Sequence, residues 1–169
     1  MLQLSKIFWN ICRLKSNPQD LPKGRYLLIA AVLAGIIVDS FSSSLLIPKL
    51  TGLEVIYIVT IYNILLLGAV YFLLKLLGYA ERATQTLTAI AGSGLFISLV
   101  LLPALLILDA AAKSLVFLIL VDNIWRIVVN AHIFRHALSI GLLMSMILSV
   151  SYLLLGVMLA EFLLPAQAS

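Results

Sequence analysis

The fold class this sequence predicts is all-α: an integral membrane bundle of five transmembrane helices preceded by an interfacial amphipathic helix. Three observations carry that expectation. Of 169 residues, 63% are hydrophobic and only 11% are charged, against roughly half and a quarter in soluble domains. Mean hydropathy is +1.18. Five apolar runs approach or exceed the roughly 20 residues that a hydrocarbon core of about 30 Å requires.

The first element is LQLSKIFWNICRL. It places Leu4, Ile7, Phe8, Ile11 and Leu14 on one helical face, with Lys6, Asn10 and Arg13 largely turned away. That pattern fits a helix lying in the bilayer interface, with its basic side toward anionic headgroups and Trp9 at headgroup level. The competing use of the same face is docking on the protein's own spans or on a partner. NPQDLP (17–22) ends this helix, because a proline disfavours helix at the residue before it. Residues 1–24 thus form a leading segment that lacks the pattern of a cleaved signal peptide.

The spans follow at 25–47, 53–77, 87–108, 114–131 and 138–160, with a short tail at 161–169. PKLTG, GYAER and DAAAK join the first four, and such short links force consecutive helices to run antiparallel. Lys6, Arg13, Lys15, Lys23, Arg25, Lys75, Arg82 and Arg135 fall on one side of this threading, and only Lys49 and Lys113 on the other. The positive-inside rule then puts the N-terminus in the cytoplasm and the C-terminus in the periplasm. The net charge of +4 is therefore a topology signal, not a nucleic-acid footprint. A single cysteine, Cys12, excludes an intrachain disulfide.

Ionisable groups inside the spans are few, so each demands an account. Asp122, Arg126 and Asn130 are successive i, i+4 neighbours and make one polar stripe on the fourth span. A charge at membrane depth costs about 2.5 kcal/mol or far more, so the stripe should face other helices or water. At about 1.5 Å rise per residue, Asp39 and Asp122 each lie roughly 12 Å from the outer ends of their spans. Asn63, Ser98 and Ser151 fall at similar levels. Arg126 is expected to pair with Asp122 on its own helix and with Asp39 across the bundle. Such a cluster either lines a proton, ion or solute path or fixes helix register.

Small residues mark close helix approach. Ala137, Gly141, Ser145 and Ser149 recur every four residues along the fifth span, and Thr84, Thr88 and Gly92, with Gly94 nearby, along the third. Packing within the chain is the expected use of both rows; a homodimer through the fifth span is the alternative. Pro103 is expected to kink the third span. His132 and His136 stand at i, i+4 spacing, which suits a metal, yet no third ligand accompanies them. With Trp9, Arg13 and Arg135 they are expected to form a cytoplasmic contact face. No cofactor, metal or catalytic set is expected, and AGSG at 91–94 lies inside an apolar run.

PQDLPKGRYLL (18–28), RATQTLTAIAGSGLF (82–96) and WRIVVNAHIFRHAL (125–138) resemble recurring blocks of a small polytopic membrane-protein family of Gram-negative bacteria with no established activity. The five-span layout is also loosely similar to Yip-type membrane proteins. The first resemblance implies an inner-membrane location and supplies no site residues. Because the extramembrane segments are short, the expected role is non-enzymatic: an accessory subunit or scaffold of a membrane assembly. Its expected partners are a bilayer with anionic headgroups and another membrane protein. The alternative is a small proton, ion or solute transporter using the Asp/Arg cluster. A lipid-acting enzyme built on His132, Arg135 and His136 is a third, weaker reading.

Overall fold

The computed structural model describes residues 2–107 and 113–164, and these residues are helical throughout apart from turns. Most of the DAAAK link and the tail beyond Leu164 lie outside the described residues. A short helix α1 (Leu2–Cys12) is followed by α2 (Arg25–Leu46), α3 (Gly52–Leu76), α4 (Ala83–Ile107), α5 (Lys113–Leu138) and α6 (Leu142–Leu163). The last five are long and apolar enough to cross a membrane. Their outward faces carry large exposed hydrophobics such as Leu33, Ile37, Phe72, Leu143 and Met158. In water such a surface would aggregate; in hydrocarbon it is the solvated face. These properties are compatible with a multi-pass membrane protein.

The helices close a ring. α2 packs on α3 and on α4, α4 on α5, α5 on α6, and α6 returns to α3. The end of the bundle that holds α1 is called the near end here, and the opposite end the far end. The hydrophobic core fills the near half: Val70 and Leu74 of α3, Leu87 and Ile90 of α4, and Val129, Ile133 and Phe134 of α5 are all buried. The near half of α4 is covered on every side, from Ala83 through Ser93 with few breaks, as befits the central helix of a bundle. Ala31 and Gly35 on α2 are buried one turn apart, and a Cβ at Gly35 would meet open space.

Helix ends follow local chemistry. Thr51 and Glu54 form a reciprocal capping box that starts α3, with Thr51 N donating to Glu54 Oε2 at 2.8 Å. Gly78, at φ 83°, closes α3 in the left-handed conformation that glycine adopts without penalty. α5 ends at Ser139, φ 55°, where Ile140 N reaches back to Arg135 O at 3.2 Å. The Arg82 guanidinium sits over that end and donates to Ala137 O at 3.0 Å and Ser139 Oγ at 2.9 Å. A cation at a helix C-terminus is favoured by the exposed carbonyls and the helix dipole.

Several expectations change. The fourth span does not stop at 131, because AHIFRHAL forms the last two turns of α5. Hydropathy falls once polar side chains begin, whereas the backbone ladder continues until its cap. Likewise α4 starts at Ala83 rather than 87, and α6 at Leu142 rather than 138. The turn at Ser139 splits the small-residue row: Ala137 belongs to α5 and Gly141 is the exposed residue before α6, while Ser145 and Ser149 are buried on α6. Ser149 Oγ donates to Ile127 O at 2.7 Å. α4 continues through Pro103 to Ile107.

α1 uses its apolar face on the bundle itself. Phe8 lies across Gly92 and stacks on Phe96, with ring centroids 5.8 Å apart. Ile11 and Cys12 are buried beside it. Trp125 Nε1 donates to Cys12 O at 3.1 Å, and Cys12 Sγ to Ser93 O at 3.7 Å. Leu14, expected on the same face, is instead exposed at φ 61°, where the helix has already ended. Burial pushes the Cys12 thiol up to about 11, so near pH 8 only about one molecule in a thousand carries the reactive thiolate. A side chain at Gly92 would occupy the place of the Phe8 ring. Gly92→Leu should therefore release α1 and raise the rate of Cys12 alkylation by a maleimide at least tenfold. Equal rates in the two proteins would refute this docking mode.

Candidate functional site

The far half of the ring is hollow. A cavity of about 380 Å³ opens there between the C-terminal halves of α2, α4 and α6 and the N-terminal halves of α3 and α5. Its walls are mostly aliphatic, including Leu46, Ile47, Leu50, Leu101, Leu105 and Ile119, with Ser42, Ser43 and Asn123 among them. Its floor is polar: Asp39, Tyr62, Asn63, Ser98, Asp122 and Arg126. A second cavity of about 100 Å³ lies beyond, lined by Ala31, Gly35, Ser93, Gly94, Asn130 and Tyr152 among others. Asp39, Tyr62, Asn63 and Arg126 line both, so they form the layer between the two spaces.

Each helix places its member of this layer by simple periodicity. Ala31, Gly35 and Asp39 are four residues apart on α2, so the small-residue stripe that meets α4 ends in the carboxylate. On α5 the i, i+4 spacing brings Arg126 Nε to both oxygens of Asp122, at 2.9 and 3.0 Å. Arg126 Nη2 then donates to Ser98 Oγ at 2.8 Å, and Ser98 Oγ to Asp39 Oδ1 at 2.9 Å. One chain of hydrogen bonds thus ties α5, α4 and α2. The expected pairing of Arg126 with Asp39 is bridged by the Ser98 hydroxyl, not made directly. Gly94 leaves room beside the guanidinium, since a Cβ there would stand 3.5 Å from Arg126 Nη1.

The remaining residues divide between the cluster and other places. Asn63 donates to Val59 O on its own helix at 3.0 Å and faces both cavities. Asn130 lines the inner cavity only. Ser151 is exposed and bonds to Ile147 O of its own helix, so α6 reaches the site through Tyr152 and Leu153 instead. Tyr62 also takes part, with its hydroxyl against Gly156 of α6, where a Cβ would come within 2.7 Å of it. Hydropathy reasoning passes over both tyrosines, since an aromatic ring in an apolar run carries no visible polar signal.

At the near end the contact-face residues separate. Trp9, Arg13 and Arg135 are exposed. His132 is partly buried and its Nε2 donates to Ser16 O at 3.0 Å; its ring meets that of His136 edge-on, with centroids 4.6 Å apart. Gln19 Nε2 donates to His136 O at 2.8 Å, and Gln85 Nε2 to Gln19 O and Leu21 O at 3.0 and 2.6 Å. These histidines therefore help seat the PQDLP turn. Among the described residues no three His, Cys, Asp or Glu side chains gather where a metal could be held.

Comparisons with protein-family models, with curated proteins and with solved structures find no match for this chain. What the site does must therefore be argued from its geometry.

The Arg126–Asp122 pair is about one-quarter to one-third exposed, so its loss should cost less than the several kcal/mol typical of fully buried pairs. Arg126→Gln strands the Asp122 carboxylate and is expected to destabilise by about 2 kcal/mol. The double variant Asp122→Asn/Arg126→Gln keeps a hydrogen-bonding pair and should recover at least half of that loss. Thermal unfolding in detergent micelles measures both; a single variant as stable as the parent contradicts the account.

Proposed function

We propose that this chain is a small non-enzymatic transporter that takes a solute into the far cavity and passes it across the Asp39–Ser98–Arg126–Asp122 layer. One observation carries the reading. An open cavity ends on an ionic layer deep in the bundle, and a further cavity continues beyond it. Ionisable side chains within membrane spans that face a cavity are the residues from which substrate and ion paths are built. A cavity of about 380 Å³ also falls within the range of small-molecule sites, about 300–1,000 Å³. In this reading the packed near half is the closed gate of the resting state.

Accessory or scaffold duty is the second reading, favoured by the near end. There α1 is pinned by hydrogen bonds to α4 and α5, and exposed Trp9, Arg13 and Arg135 present a basic surface to a partner or to anionic headgroups. On the positive-inside rule this end faces the cytoplasm of a bacterial inner membrane, and the cavity mouth faces the periplasm.

Flux decides between the two. Purified protein in liposomes should swell in isotonic solutions of at least one small neutral, anionic or cationic solute, at least tenfold slower with Asp39→Asn. Rates equal to protein-free liposomes across such a panel would overturn transport and leave the accessory role. Orientation is tested separately in a Cys12→Ser background. Lys49→Cys should react with a membrane-impermeant maleimide in intact spheroplasts, and Arg13→Cys only after permeabilisation. The reverse pattern inverts the threading.

A further inference from the structure

The far cavity has a charge balance that selects among solutes, and this inference rests on reading it as a solute site. Among the described residues three charged side chains line it, Asp39, Asp122 and Arg126, and no lysine or histidine lines either cavity. The one cation among them is offset on its own helix, since Arg126 Nε holds both oxygens of Asp122, and Nη2 donates to Ser98. Asp39 receives a hydroxyl from Ser98, and the guanidinium stands one hydroxyl further away. The floor thus offers a carboxylate without a cation of its own. Among the described residues at the far end Lys49, Glu54, Lys113 and Glu161 are exposed, two of each sign.

The walls set the rest of the ligand. Leu46, Ile47, Leu101 and Leu105 give an apolar sleeve above the carboxylate. In such surroundings a cation–carboxylate attraction is far stronger than in water. A hard divalent ion would need six or more oxygen ligands, and among the described residues no three His, Cys, Asp or Glu side chains gather to anchor one. An anion would meet two carboxylates against one guanidinium. A cavity of about 150 Å³ holds one benzene ring, so about 380 Å³ accommodates a ring together with a substituted ammonium group.

We propose that the far cavity binds an amphiphilic monocation, an organic ammonium bearing one apolar group of about aromatic-ring size, with Asp39 as its counter-ion. Phenyltrimethylammonium, its neutral isostere tert-butylbenzene and the anion benzenesulfonate probe this on one scaffold. Equilibrium dialysis against the protein in lipid nanodiscs, with empty nanodiscs subtracted, should show saturable binding of the cation at least tenfold tighter than the isostere. Benzenesulfonate should not compete. Asp39→Asn should remove the preference for the cation over the isostere; the comparison within the unmodified protein stands even if that variant does not fold. Equal binding of cation and isostere, preference for the sulfonate, no saturable binding, or an unaltered preference in a folded Asp39→Asn protein each overturns the assignment. Cation binding without flux would sink transport and keep this site. Flux of another solute without cation preference would do the opposite.

Discussion

A guanidinium set deep among apolar helices needs partners, and the arrangement of this bundle follows from meeting that condition at Arg126. Asp122 lies one turn away on the same helix and supplies the ion pair. That alone would leave the remaining donors to be satisfied. Ser98 takes one of them and hands its own proton to Asp39, so the demand of one side chain fixes the rotation of α5, α4 and α2 together. Buried polar contacts of this kind contribute little net stability but penalise every alternative register. A slip of one residue, about 100° of rotation, on any of the three helices would part the groups that the bonds between helices join.

The bundle then divides into two halves with different tasks. The near half is filled: α4 is enclosed on all sides, α1 lies over it, and Arg82, Gln85 and Gln19 close the end with side-chain hydrogen bonds to backbone carbonyls. The far half keeps its polar layer at the bottom of an aliphatic well. A site held this way is rigid at its floor and open at its mouth. That combination suits recognition, because the groups that meet a ligand have already surrendered their conformational freedom.

How much of this could be read from the chain depended on how local each cause was. Five helices were legible because length and hydropathy are properties of single segments. The Asp122–Arg126 contact was legible because i, i+4 spacing dictates it. Ser98 as the bridge was not, since a serine among leucines acquires that role only when α2 and α5 are set on either side of α4. Tyr62 and Tyr152 were missed because hydropathy counts them with the aliphatics. The ends of α4, α5 and α6 were displaced because polarity, used to mark where a span stops, does not stop a helix; caps such as Ser139 and Arg82 do. Gly92 was recognised as a point of close approach, but its neighbour proved to be Phe8 of α1, a contact between residues far apart in sequence.

That last contact bears on how the molecule is made. Chains emerge from the ribosome N-terminus first, so α1 exists well before Gly92, Ser93 and Trp125, the residues that receive it. In the interval its apolar side has no bundle to dock on, and the docked position is a latch that shuts only on a completed bundle.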